Sequence, residues 1–85
     1  MVTEKARLRA PADFGLAIQQ ARMARGLSQT QLANQLDISQ SAVSEIESGK
    51  STIYLRRVLE LARLTGIEFT ATWEYDPEGN DAARG

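Results

Sequence analysis

Apolar residues recur every three to four positions between residues 11 and 66, which is the spacing of helices that bury one face. Each apolar run is bordered by residues that favour a helix start or stop: Pro11, Gly26, Ser28, Ser39, Gly49, Ser51 or Thr52, and Gly66. The pattern therefore predicts four helices, of which the second and third are short.

The period changes from 3.6 to 2 in residues 67–75, which predicts a half-buried strand. The apolar positions of this strand alternate with polar or acidic ones: Ile67, Phe69, Ala71, Trp73 and Tyr75. No second strand is evident in the sequence, and an unpaired strand this apolar invites association. We expect it to pair with its copy across a homodimer, or alternatively to extend the sheet of a partner protein.

The two ends of the chain differ from the middle. Residues 1–10 carry Lys5, Arg7 and Arg9 with little to bury, and we expect an N-terminal basic arm. Residues 76–85 begin with a strand-breaking Asp-Pro pair, and we expect a disordered acidic tail. The predicted organisation is an arm, a helical domain over 11–66, a strand over 67–75 and a tail.

The residues that are missing narrow the function. The sequence has no Cys and no His, so it lacks the commonest metal ligands and the commonest general base near neutral pH. We expect no metal, no cofactor and no enzymatic activity. No apolar run is long enough to span a membrane and no signal-peptide pattern is present, so we expect a cytoplasmic protein without a membrane partner.

The second and third predicted helices form a helix-turn-helix arrangement, joined at Asp37 and Ile38. Ala33 suits the point where the two helices cross closely. The inward positions expected to fix their angle are apolar: Leu32, Leu36, Ile38, Val43 and Ile46. The residues left facing outward on the third helix are Gln40, Ser41, Ser44 and Glu45.

Such a helix presents its first residues to base edges in the major groove of DNA. Gln can pair with adenine, and Ser can bond to any base. Glu45 could accept from a cytosine amino group, or could instead repel a phosphate. The loop that follows, Lys50, Ser51 and Thr52, is expected to contact phosphate, and the basic arm could reach a neighbouring groove or stay mobile.

The stretches Arg22–Ala33 and Ile38–Lys50 closely resemble the lambda-repressor-like, Cro/C1-type helix-turn-helix family, and the resemblance extends from about Asp13 to Gly66. It implies an ion pair between Arg22 and Glu47. It also implies that Gln29 lies at the sugar-phosphate backbone and that Gln40, Ser41 and Ser44 lie at base edges. We expect Ser28, Thr30 and Ser39 to contact the sugar-phosphate backbone as well, together with the Lys50–Thr52 loop. Asp37 departs from the family, which usually has Gly there, but Asp tolerates the left-handed conformation better than most residues.

Four helices followed by a strand are similar to the HipB-type antitoxins. This resemblance implies a homodimeric repressor of a palindromic operator, located in the cytoplasm at the nucleoid. It also implies a HipA-like Ser/Thr kinase toxin as partner, with the pair repressing its own operon. The alternatives are a stand-alone Cro/C1-type regulator and a detached DNA-targeting domain of a larger assembly, which is expected to be monomeric alone.

The net charge of −1 conceals two different parts. Residues 1–66 carry nine Lys or Arg against six Asp or Glu, which gives +3. Residues 67–85 carry one Arg against five Asp or Glu, which gives −4. Because the acidity lies beyond the predicted DNA-reading helices, the overall balance does not exclude nucleic acid.

Overall fold

The computed structural model describes residues 1–77 of the chain. In chain order its elements are β1 (Val2–Arg7), α1 (Pro11–Ala24), α2 (Gln29–Leu36), α3 (Gln40–Glu47), α4 (Ile53–Thr65) and β2 (Thr70–Tyr75). The four predicted helices are confirmed. The predicted acidic tail falls mostly outside the described residues.

Hydroxyl side chains cap three of the helices, as the sequence indicates. The Oγ atoms of Ser28 and Ser39 accept from the backbone N–H groups three residues later, at 3.0 Å in both cases, and Thr52 caps α4 in the same way. Asp37 ends α2 in the left-handed conformation, with φ 56° and ψ 44°. The turn between α2 and α3 therefore forms without glycine, since Asp is one of the few residues that enter this region at modest cost.

The sheet corrects the prediction of one C-terminal strand without a partner in the chain. β2 pairs antiparallel with β1, from Val2 opposite Tyr75 to Arg7 opposite Thr70. The segment expected to be a basic arm is thus largely a strand, and the premise for pairing across a homodimer was wrong. The alternation of apolar and polar residues that would predict β1 is weak, because Glu4 occupies one of the positions on its inner face, beside Trp73.

The inner face of the sheet packs on α1. Phe69 and the odd positions of β2 are less exposed than the even ones, and the ring of Phe69 lies 6.4 Å from that of Phe14 in α1. Ile67 precedes the strand and is exposed, contrary to its expected inward role. Burial of this face of the sheet is therefore supplied by the same chain.

Fewer residues are buried between α2 and α3 than the sequence predicts. Ala33 and Val43 are buried where α2 and α3 cross, and Leu32 is half-buried. The other positions expected to fix the helix pair, Leu36, Ile38 and Ile46, are between 40% and 60% exposed. Two apolar residues thus form the buried contact, one from each helix.

α1 approaches the end of α3 closely at Gly15. A Cβ atom at this position would lie 2.6 Å from the backbone oxygen of Glu47. Only glycine therefore fits between the two helices. This close contact fixes how near the end of α3 lies to α1. Within residues 1–77 no helix is long and apolar enough to span a membrane.

Candidate nucleic-acid interface

The outward face of α3 carries the residues predicted to read bases. At about 100° per residue, Gln40, Ser41, Ser44 and Glu45 share one side of the helix. Val43 and Glu47 lie just beyond the Gln40 edge of this arc and are buried. All four predicted readers are exposed except Ser44, which is half-buried. The fold thus brings these four side chains together on one polar surface.

A chain of hydrogen bonds fixes the first of these readers. The side-chain amide of Gln40 donates to the amide oxygen of Gln29 at 2.6 Å. The amide of Gln29 in turn donates to Glu47 Oε1 at 3.0 Å. Because Gln29 and Gln40 are the first residues of α2 and α3, this chain joins the starts of the two helices. Gln40 is consequently oriented before any ligand arrives, which lowers the entropic cost of binding.

The structure brings together the two residues of the predicted ion pair. Arg22 donates from Nε to Glu47 Oε2 at 2.6 Å and from Nη2 to Oε1 at 3.0 Å, a bidentate geometry. Its Nη1 donates to the backbone oxygen of Leu27 at 2.7 Å. The Glu47 side chain is only 2% exposed and that of Arg22 11%. The pair therefore joins α1, the turn after it and α3 at a buried point.

The electrostatics of this pair follow from its hydrogen bonds. The bond from Arg22 holds the pKa of Glu47 below its usual value, although burial alone acts in the opposite direction, and the bond from Gln29 lowers it further. The same contact raises the pKa of Arg22. Both groups are charged at neutral pH, and the carboxylate can accept from Gln29 throughout the physiological range.

The predicted phosphate contacts lie largely at helix N-termini. Ser28 and Ser39 are N-caps, and Gln29 and Thr30 occupy the first turn of α2. A capping hydroxyl uses its oxygen as acceptor and keeps its hydrogen for another partner. The partial positive charge of a helix N-terminus favours a phosphate at the same place. This set is therefore chemically suited to the sugar-phosphate backbone.

Glu45 and Lys50 are bonded to each other rather than free. Lys50 Nζ lies 3.1 Å from Glu45 Oε2, and both side chains are more than half exposed. An ion pair this exposed contributes little to the free energy of unfolding and can separate at a small cost in free energy. In the free protein it neutralises one predicted base reader and one predicted phosphate contact. Of the remaining loop residues, Ser51 donates to the backbone oxygen of Thr52 at 3.3 Å and Thr52 caps α4.

Neither the bond between Gln29 and Gln40 nor the close approach at Gly15 is predicted from the sequence. The signal for the first is that glutamine occupies the first position of both α2 and α3. The signal for the second is a lone glycine inside an otherwise helical run, which usually has a packing reason. Both features position α3 and neither replaces a predicted site residue.

Comparison with known proteins supports this assignment. Residues 18–71 match a protein-family model described as Helix-turn-helix. Comparisons with curated proteins and with solved structures give no significant match. The matched segment includes α2, α3, the turn between them and all of α4, and it covers more than half of the chain. The chain therefore belongs to the Cro/C1-type helix-turn-helix family of DNA-binding regulators.

Proposed function

We propose that this protein is a transcriptional repressor that recognises a specific double-stranded DNA sequence through α3. The observation that carries the proposal is the exposed polar face of α3, on which Gln40 is held by Gln29 and, through it, by Glu47. A fixed glutamine amide can donate to and accept from the edge of one adenine. Ser41 and Ser44 lie beside it for adjacent bases. The protein acts by binding, with no catalytic step.

The repressor binds as a homodimer to a palindromic operator. One copy of α3 covers only a few base pairs, and two copies about one helical turn apart read two half-sites. Two copies also double the basic field of residues 1–66, whose charge of +3 is small for DNA binding. Occupation of an operator that overlaps a promoter excludes the polymerase sterically.

Within this role we assign the protein as the antitoxin of a HipBA-type pair. The support is that four helices are followed by a strand; β1, which precedes them and pairs with β2, is an addition to that order. In this role it neutralises a HipA-like Ser/Thr kinase and represses the operon that encodes both. The alternative is a stand-alone Cro/C1-type regulator. The two are distinguished by the neighbouring reading frame: a kinase-like product that forms a stable complex with this chain supports the antitoxin role, and its absence supports the alternative.

Selection from a random pool of DNA duplexes tests the proposed DNA recognition. The wild-type protein is expected to enrich a palindrome with two equal half-sites. The variant Ser41→Glu places a negative charge on the reading face and is expected to abolish enrichment. Thr72→Glu, which adds the same charge on the exposed face of β2, is the matched control and should retain it. Absence of any enriched sequence with the wild type contradicts the proposal.

A further inference from the structure

Helix α4 has two apolar faces. The inner face is buried or half-buried within the chain and consists of Leu55, Val58, Leu59 and Ala62. The outer face is defined here as Ile53, Tyr54, Arg57, Leu61 and Leu64, which fall within about 100° of arc around the helix. Its four apolar side chains are between 63% and 80% exposed. Nothing in residues 1–77 covers the outer face.

An apolar surface of this size needs an explanation. Four side chains with that exposure offer roughly 600 Å² on one helix, and a contiguous patch of several hundred Å² marks an interaction site on a soluble protein. No large side chain within residues 1–77 is fully buried, so the chain alone has a small core. A domain of this size is marginally stable unless further apolar surface is removed from water. The outer face is therefore a surface for association.

We propose that the outer face of α4 is the homodimer interface and that the same face of a second copy covers it, with the two helices antiparallel. The inference rests on the proposed function to the extent that a palindrome requires two copies. It does not use β2, although a two-stranded sheet leaves one edge of that strand open. β2 is paired with β1, and its apolar side chains pack on α1.

The charges of α4 complement those of its own copy. A twofold axis at the centre of the helix, between Val58 and Leu59, places residues whose numbers add to 117 opposite each other. Ile53 then faces the partner's Leu64, and Arg57 faces the partner's Glu60. Neither Arg57 nor Glu60 has an ion-pair partner within residues 1–77. The single charge on the outer face thus gains an opposite charge from the second copy.

The available area agrees with a dimer of this kind. A standard interface buries about 800 Å² on each partner, most of which the exposed part of the outer face supplies. In this arrangement the two Arg57–Glu60 pairs lie beside the twofold axis, and the apolar side chains lie further out along the helix.

Sedimentation equilibrium of the full chain without DNA tests the proposal. The wild type is expected to be a dimer. In a dimer of Arg57→Glu, each substituted residue faces the partner's Glu60, so two pairs of negative charges oppose each other. Leu64→Glu places a negative charge in the apolar part of the contact. Each is expected to weaken dimerisation at least tenfold. The double variant Arg57→Glu/Glu60→Arg restores the opposite charges and is expected to recover most of the affinity.

The matched control is Arg25→Glu, which makes the same charge change at an exposed position at the end of α1, outside α4. It is expected to leave dimerisation unchanged, and circular dichroism checks that every variant is folded. A wild type that stays monomeric overturns the proposal and assigns the outer face to a different protein. A dimer that forms equally well with Arg57→Glu and with Leu64→Glu also overturns it and favours the sheet as the dimer contact. Because no DNA is present, neither result depends on whether the protein recognises an operator.

Discussion

Glu47 links the stability of the fold to the orientation of the reading helix. Its carboxylate accepts two bonds from Arg22 on one side and one from Gln29 on the other, and Gln29 accepts from Gln40. A residue with no outward surface thereby determines where the first base-reading side chain points. Substitution of Glu47 should therefore affect both the free energy of unfolding and DNA recognition.

Glu47→Ala is expected to lower the free energy of unfolding by about 3–5 kcal/mol, because it leaves the Arg22 guanidinium buried without a counter-charge. Glu45→Ala removes a carboxylate from an exposed pair on the same helix and is expected to cost less than about 1 kcal/mol. Urea unfolding measures both. If a folded Glu47→Ala cannot be obtained, Glu47→Gln gives a smaller loss in the same direction. Equal losses for the two alanine variants would show that the buried pair has no special role.

The Arg22–Glu47 pair also predicts how stability depends on pH. The folded pKa of Glu47 lies below its ordinary value of 4.5, so the stabilisation is fully present above that pH. It is lost as pH falls through the lower, folded pKa, since the unfolded state then binds the proton more readily. Urea midpoints measured from about pH 7 down to about pH 2 are expected to fall steeply in this acid range. In Glu47→Gln the fall should be shallower; an identical profile would remove Glu47 from the acid response.

At the scale of the elements, the position of α3 depends on one close contact with α1. Gly15 lies against the backbone of the last residues of α3, where a methyl group has no room. Intrinsic helix propensity alone favours alanine over glycine by about 1 kcal/mol. For Gly15→Ala, packing therefore predicts a loss of stability, whereas helix propensity predicts a gain.

Gly15→Ala is expected to destabilise the protein by about 1–3 kcal/mol, because α1 and α3 must separate to accept the Cβ atom. Thermal unfolding followed by circular dichroism measures the change. Gln20→Ala, at an exposed position of the same helix, is the control and should change stability little. A stabilised Gly15→Ala would mean that propensity dominates and that the contact is loose.

The helices were predictable from the sequence because capping residues act locally. Ser28, Ser39 and Thr52 each bond to a backbone N–H three residues away, so their effect is visible in a short window. β1 was not predictable, since its existence depends on β2, more than sixty residues later in the chain. The exposure of Leu36 and Ile46 was missed for a related reason: periodicity identifies an apolar face but not what covers it.

At the scale of the whole molecule, the sheet and the DNA-reading surface are separate. β1 and β2 pack on α1, whereas the reading residues lie on α3 and at the start of α2. The basic excess of residues 1–66 is small, so we expect specific contacts and dimerisation to contribute more to operator affinity than the total charge does.

Lys50→Ala is expected to weaken binding to all DNA sequences and to lower the salt dependence by about one released counterion per half-site. The lysine must leave Glu45 to reach a phosphate, so the loss in affinity should be modest. Fluorescence anisotropy at several salt concentrations measures both effects. Lys5→Ala, which removes the same charge from β1, should leave the salt slope unchanged. If the two variants give the same slope, Lys50 has no separate phosphate contact.

The most direct test of recognition through α3 is to measure Gln40→Ala on the selected operator and on duplexes with each base pair of a half-site replaced in turn. The variant should lose about 1–3 kcal/mol on the best site and lose preference at one position per half-site, with the other positions read as before. An unchanged preference at every position would contradict the assignment of α3 as the reading helix.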